Sequence, residues 1–150
     1  PGRFQVVERD GATYIADDNR DRYTAFVRFA SAVDTDAAVA LYVRMYPMLQ
    51  QAYEELGYPG KYFNNRLIEV IDQLLATPDL LKPIPLTLVD VKGAGETPRP
   101  WVRYEYADPS LEARPAGQKI LLRMGAGNAG QLKAKLRQFR QRIASSGVTG

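Results

Sequence analysis

Cysteine and histidine are both absent from the 150 residues of this sequence. Without cysteine, the chain has no disulfide bond, no thiol nucleophile, no iron–sulfur cluster and no cysteine zinc site. Without histidine, it has no Ser-His-Asp triad, no helical two-histidine zinc site and no imidazole general base for neutral pH. Any catalysis must therefore use Asp, Glu, Lys, Arg, Tyr, Ser or Thr, and we expect neither a metal nor a cofactor.

The sequence also lacks an apolar run of roughly 18 residues, which is the length that a membrane-spanning helix needs. It begins with Pro1 rather than Met, and no basic and then apolar leader follows. We therefore expect a fragment of a longer chain, with any signal or anchor upstream of Pro1. The hydrophobic share of 45% and the charged share of 25% are typical of a globular domain that buries a sizeable core.

The spacing of apolar residues predicts one mainly helical α+β domain over residues 1–150, with a frayed tail at 145–150. Asp10-Gly11 separates two short alternating segments and predicts an N-terminal β-hairpin. A second strand pair is expected at residues 86–91 and 101–106. Five helices are expected, one from the capping residues 17–19 to about residue 34, and the others at 36–56, 62–76, 116–124 and 128–144.

The predicted helix at residues 36–56 is apolar on most of its circumference. One line of side chains consists of Leu41, Met45, Leu49, Ala52 and Leu56. Tyrosine and valine side chains occupy other sides of the same helix. A helix with this pattern is typically buried by its neighbours, so we expect it to be the central helix of the fold.

Blocks of sequence spread over most of the chain point to a family. They are Glu55-Leu56-Gly57-Tyr58-Pro59, Tyr62-Phe63-Asn64 and Leu74-Leu75-Ala76-Thr77-Pro78, followed by Tyr106-Ala107-Asp108-Pro109 and Ala116-Gly117-Gln118-Lys119. Together these blocks resemble an uncharacterised bacterial family that is catalogued only as domain of unknown function 3014. The resemblance implies a membrane anchor before this domain and a location on the periplasmic side of the bacterial inner membrane. It implies no activity, substrate or site residue.

Tyrosines are concentrated in and after the predicted second helix. Their rings offer a broad contact surface with a polar tip and can line a groove for a peptide, a glycan or an apolar ligand. The candidate binding residues are Tyr46, Tyr53, Tyr58, Tyr62 and the nearby Arg66. The alternative is packing in the core and at its rim, because tyrosines at helical spacing commonly only pack.

Glu69 and Asp72 are the candidate catalytic residues. They lie three residues apart on the predicted third helix, one turn after Arg66, so their carboxylates share one helix face. Two carboxylates can act as acid and base if burial raises the pKa of one, or can help to hold a hard metal ion. The alternative is a surface ion pair between Arg66 and Glu69, with a separate polar contact from Asp72.

Charge is unevenly distributed, since the chain after Ala113 has eight basic residues and no acidic one. Five of the eight lie on the predicted last helix, and they are Lys133, Lys135, Arg137, Arg140 and Arg142. These side chains could bind the phosphates of lipid headgroups or of nucleic acid. Nucleic acid is not the expected partner, because the chain has no recognised nucleic-acid motif. The alternative is the solvated face of an ordinary amphipathic helix.

The segment at residues 125–130, Gly-Ala-Gly-Asn-Ala-Gly, has the glycine spacing of a dinucleotide-binding loop. Such a loop also needs a strand after its helix and an acidic residue about 20 positions further on to hold the ribose. The acidic residue is missing, because none follows Glu112, and no strand is predicted after the helix. We therefore expect a turn between two helices here.

These observations favour a non-enzymatic binding or scaffolding module of the bacterial cell envelope. Its expected partner is a protein or a component of the cell wall, and its expected link to the membrane is an upstream anchor. One alternative is a small enzyme that uses Glu69 and Asp72. The other is binding of anionic lipid or nucleic-acid phosphate by the basic last helix.

Overall fold

The computed structural model describes residues 5–16, 18–80, 82, 84–88 and 104–146. The strands in this part of the chain are β1 (Val6–Arg9), β2 (Ala12–Ile15), β3 (Pro85–Leu88) and β4 (Tyr104–Tyr106). The helices are α1 (Asp18–Ala32), α2 (Thr35–Glu55), α3 (Phe63–Leu75), α4 (Pro109–Glu112), α5 (Ala116–Met124) and α6 (Ala126–Ala144). The mainly helical α+β class predicted from the sequence is confirmed.

The four strands form one antiparallel sheet in the order β1-β2-β3-β4. The predicted hairpin is confirmed, and its turn residues Asp10 and Gly11 have φ values of 50° and 78°. Positive φ at both central residues is the signature of a type I′ turn, whose twist matches that of the strands. The sequence predicts two strand pairs without a link between them, but β2 also pairs with β3, with Thr13 opposite Leu86.

The described residues include only part of the predicted second strand pair. β3 ends at Leu88 and β4 begins at Tyr104. The remainder of the predicted strands at 86–91 and 101–106 lies outside the described residues, as do residues 147–150 of the predicted tail. The short helix α4 was not predicted, and Asp108 caps it by accepting a hydrogen bond from the Ser110 backbone N–H at 2.8 Å.

The expectation that α2 is the central helix is wrong. Its buried side chains are Tyr42 and Tyr46, whereas Leu41 is 55% and Met48 62% exposed. The helix therefore buries its tyrosine face against α3 and α6 and leaves much of its other apolar surface exposed, although Leu49 packs against the same core. Both tyrosines can be buried because their hydroxyl groups find partners inside the fold, as described below.

The basic helix α6 occupies the centre of the helical layer instead. It packs against α1, α2, α3 and α5. Ile143, near its end, is fully buried in a cluster with the two tyrosines of α2 and with Ile71 of α3. The sheet has a separate core, where Leu86 and Tyr106 pack against Leu122 of α5.

Asn64 is buried and joins the three helices α2, α3 and α6 by hydrogen bonds. The Tyr42 hydroxyl donates to Asn64 Oδ1 at 2.7 Å, and Asn64 Nδ2 donates to the Ile143 carbonyl at 3.1 Å. The backbone N–H of Asn64 donates to the Tyr46 hydroxyl at 3.1 Å. Burial, with a smaller contribution from Tyr46, raises the pKa of Tyr42 to about 12. The first turn of α3 is thus held by hydrogen bonds to both α2 and α6.

Replacing Asn64 should therefore destabilise the fold. Asn64→Ala leaves a buried hydroxyl and a buried carbonyl without partners, so we expect the free energy of unfolding to fall by about 2 to 3 kcal/mol. The matched control is Asn65→Ala, because Asn65 is the exposed neighbour on the same helix and its loss should cost less than about 0.5 kcal/mol. Urea unfolding followed by circular dichroism measures both values, and equal losses would contradict this role of Asn64.

Candidate functional site

A cleft of about 560 Å³ opens where α2 ends and α3 begins. Its lining combines aromatic rings with polar and charged side chains. The lining residues are Tyr53, Tyr58, Gly60, Lys61, Tyr62, Asn65, Arg66 and Glu69. All of them come from the end of α2, from the connecting turn, and from the first two turns of α3.

The connecting turn is held in place by the side chain of Gln50. Gln50 Nε2 donates to the Lys61 carbonyl at 2.7 Å, and Gln50 Oε1 accepts from the Phe63 backbone N–H at 2.7 Å. The helix α2 ends just before Gly57, whose φ of 110° reverses the chain in a way that side chains with a Cβ disfavour. The backbone that carries Tyr58 and Tyr62 is therefore held in place.

The aromatic rings of the cleft form an ordered stack. The rings of Tyr53 and Tyr58 are 4.6 Å apart and within 8° of parallel. Tyr53 also contacts Phe63 edge to face, with a centroid separation of 5.7 Å. Tyr58 and Tyr62 remain 45% and 44% exposed. A packed ring pair beneath exposed aromatic surface is a preformed platform for a ligand.

The polar groups of the cleft are largely available. Within the described part of the chain, the hydroxyl groups of Tyr53, Tyr58 and Tyr62 make no hydrogen bond, unlike those of the two buried tyrosines of α2. Arg66 Nη1 donates to Glu69 Oε2 at 3.2 Å, but both side chains are more than half exposed. The rim of the cleft thus offers hydroxyl groups, an amide and charges to solvent.

Four of the five predicted binding residues meet in this cleft, namely Tyr53, Tyr58, Tyr62 and Arg66. The fifth, Tyr46, is instead buried in the core, where its hydroxyl donates to Gln50 Oε1 at 3.0 Å. Sequence reasoning missed Gln50, Lys61 and Asn65. A helical spacing could have revealed Asn65, because residues 62, 65, 66 and 69 recur on one helix face.

The two candidate catalytic carboxylates have separate partners. Glu69 pairs with Arg66 at the cleft, whereas Asp72 accepts hydrogen bonds from Nε and Nη2 of Arg140 on α6. The hydrogen bond from Arg140 holds the pKa of Asp72 below its usual range, which keeps this carboxylate ionised. These contacts favour the ion-pair interpretation of the two carboxylates over a shared role as acid and base.

Lys133 of α6 is directed into the protein. It is only 2% exposed, and its Nζ donates to the Thr77 carbonyl and, at 2.9 Å, to Asp79 Oδ1. Both partners follow the end of α3, so the buried ammonium ties α6 to that segment. A buried charge of this kind needs its partners, because removing one leaves an uncompensated charge.

Two further basic residues of α6 hold the junction between α1 and α2. Lys135 Nζ donates to the Val33 carbonyl at 2.7 Å and to Thr35 Oγ1 at 3.2 Å. Arg142 forms an ion pair with Asp36 in the first turn of α2. Of the five predicted anion-binding residues, only Arg137 is exposed and makes no ion pair with a residue that the structure describes.

The glycine-rich segment at 125–130 is a helix junction, as predicted, but most of it is helical. α6 begins at Ala126, so Gly125 alone separates it from α5. Asn128 Nδ2 donates to the Arg20 carbonyl at 3.0 Å and so attaches α6 to α1.

A second cavity, of about 350 Å³, lies beside this junction and is lined in part by Arg20, Lys82 and Arg123. Arg20 and Arg123 both interact already with other groups of the chain. We therefore assign the candidate site to the tyrosine cleft, where the predicted binding residues converge. Among the described residues, no three acidic side chains are grouped closely enough to hold a metal ion. No helix of the described part is long and apolar enough to cross a bilayer.

The ion pair between Asp72 and Arg140 should make stability depend on pH. Because the native pKa of Asp72 is lowered, the pair contributes stability above the unfolded pKa of about 4, and the contribution is lost as pH falls through the native pKa. Asp72→Asn should lower Tm at about pH 7, and this difference should shrink below about pH 4. Glu69→Gln is the control and should change Tm little at either pH. A Tm difference for Asp72→Asn that stays constant with pH would contradict this role.

Comparison with known proteins gives one family. No curated protein and no solved structure matches the chain. The family model for a protein of unknown function, DUF3014, matches residues 1–140, which include the whole tyrosine cleft and α6 as far as Arg140. The chain therefore belongs to the DUF3014 family, as its sequence blocks suggest.

Proposed function

We propose that the protein is a non-enzymatic binding module of the bacterial cell envelope, and that its tyrosine cleft binds the glycan of the cell wall. The proposal rests on one observation, namely that Tyr53, Tyr58, Tyr62 and Arg66 line the same open cleft. The envelope location rests on the family resemblance, which implies an anchored domain on the periplasmic side.

A glycan suits the chemistry of this cleft. A sugar ring has an apolar C–H face that can lie on the exposed rings of Tyr58 and Tyr62. Its hydroxyl and amide groups can bond to the phenolic hydroxyl groups and to Asn65, which have no partner among the described residues. A few directional polar groups around an apolar platform are typical of small-ligand sites.

The contacts of the other charged groups favour a binding function over catalysis. Asp72 pairs with Arg140, and Glu69 is exposed beside Arg66, so neither of these two carboxylates is a buried general acid. Most of the candidate anion-binding residues of α6 are engaged with other helices. The hydroxyl groups of Tyr53, Tyr58 and Tyr62 in the cleft, in contrast, make no hydrogen bond within the described part of the chain.

The rigidity of the platform also supports this function. Tyr58 stacks on Tyr53, and the turn that carries Tyr62 is bonded to Gln50. A ligand would therefore order few side chains on binding, which lowers the entropic cost. Exposed rings that are already held in place are a better binding surface than rings on a mobile loop.

Cosedimentation with purified, insoluble peptidoglycan sacculi tests the proposal. We expect the chain to sediment with the sacculi, and the double variant Tyr58→Ala/Tyr62→Ala to bind about tenfold less, because two ring contacts are removed. The matched control is Phe29→Ala, which removes an aromatic ring that is 71% exposed on α1, outside the cleft. Equal sedimentation of the double variant and the control would contradict the proposal, as would no sedimentation of the unaltered chain.

A further inference from the structure

We propose that the tyrosine cleft selects an acidic sugar, that is, a sugar ring with a carboxylate attached. This inference rests on the proposed function and names the ligand of the same site. It is carried by one juxtaposition, in which Lys61 lines the same cleft as the exposed Tyr58 and Tyr62 and stands between them in sequence.

The cleft has an excess of positive charge. Its lining contains two cationic side chains, Lys61 and Arg66, and one carboxylate, Glu69. Arg66 and Glu69 pair with each other at 3.2 Å. Lys61 is exposed and makes no ion pair with any residue that the structure describes. A neutral sugar would leave this ammonium without a counter-charge, whereas a carboxylate would supply one.

The position of this charge is fixed by the fold. The Lys61 carbonyl accepts from Gln50 Nε2 at 2.7 Å, and the backbone N–H of Lys61 donates to the Tyr58 carbonyl at 3.3 Å. The side chain is flexible, but these two hydrogen bonds hold the backbone of Lys61 in the turn that carries both tyrosines. A carboxylate attached to a sugar that lies on these rings would come within reach of the ammonium group.

Arg66 can contribute to the same carboxylate. It uses Nη1 toward Glu69, and a guanidinium has five N–H donors in all. Both side chains of this pair are more than half exposed, so their attraction is weak and the pair can adjust at small cost. Arginine also matches the planar shape of a carboxylate better than lysine does. The rim can therefore hold one ligand carboxylate between Lys61 and Arg66.

Peptide recognition fits the cleft less well. A strand from a partner needs an open sheet edge, and a partner helix needs an apolar groove. The cleft lies between two helix ends, and half of its lining residues, namely Lys61, Asn65, Arg66 and Glu69, are polar or charged. A proline-rich peptide can dock on aromatic rings, so its binding is measured alongside that of the sugars.

Two matched sugars test the inference by isothermal titration calorimetry. N-acetylmuramic acid is N-acetylglucosamine with an added lactyl ether, so the pair differs by that carboxylate-bearing group. We expect the acidic sugar to bind at least about threefold more tightly, and Lys61→Gln to reduce this preference because it removes one of the two cationic side chains of the cleft. The control is Arg137→Gln, which removes an exposed positive charge on α6 and should leave the affinity for both sugars unchanged. The preference should also decline as salt rises.

The outcomes separate this inference from the proposed function. Equal binding of both sugars, or a preference that is undiminished in Lys61→Gln, would overturn the acidic-sugar inference but not the proposal that the cleft binds a glycan. No binding of either sugar, or binding of a proline-rich peptide instead, would also overturn it. The sacculus assay then decides independently whether the cleft binds the cell wall. Loss of cosedimentation in Lys61→Gln, with Phe29→Ala unchanged, would support both.

Discussion

The rest of the fold depends on the attachment of helix α6 to the other helices by its own basic side chains. Lys133 reaches the segment after α3, and Arg140 reaches Asp72 on α3 itself. Lys135 and Arg142 hold the junction of α1 and α2. Most of these basic side chains of α6 therefore form contacts with other parts of the same chain. These contacts join segments that are far apart in sequence, which local helix propensity could not do.

This attachment also determines where the cleft lies. Asn64 connects the start of α3 to Ile143 of α6 and to Tyr42 of α2, so the first turn of α3 cannot move independently of either helix. Gln50 then fixes the turn that precedes α3. The exposed tyrosines project from a backbone that is held at both ends, and a rigid platform of this kind is what a binding site requires.

Much of the local structure follows from the sequence, because local signals have local causes. Asp10-Gly11 predicts the hairpin turn, and the helix at residues 116–124 has the predicted bounds. Tyr53, Tyr58 and Tyr62, which the sequence singles out, line one cleft. Periodicity does not reveal which of two apolar faces is buried, and α2 buries the face with Tyr42 and Tyr46 while Leu41 and Met45 stay exposed. The pairing of β2 with β3 and the inward contact of Lys133 with Thr77 are long-range, so no local pattern predicts them.

The central claim is that ligand binding belongs to the tyrosine cleft and that the basic helix is structural. Chemical shift mapping of the ¹⁵N-labelled chain with soluble peptidoglycan fragments tests it most directly. We predict that the shifts change at residues 53–69, and that the exposed face of α6 around Arg137 is unaffected. Changes centred on Arg137, or on the exposed face of α2 around Leu41 and Met48, would contradict the account.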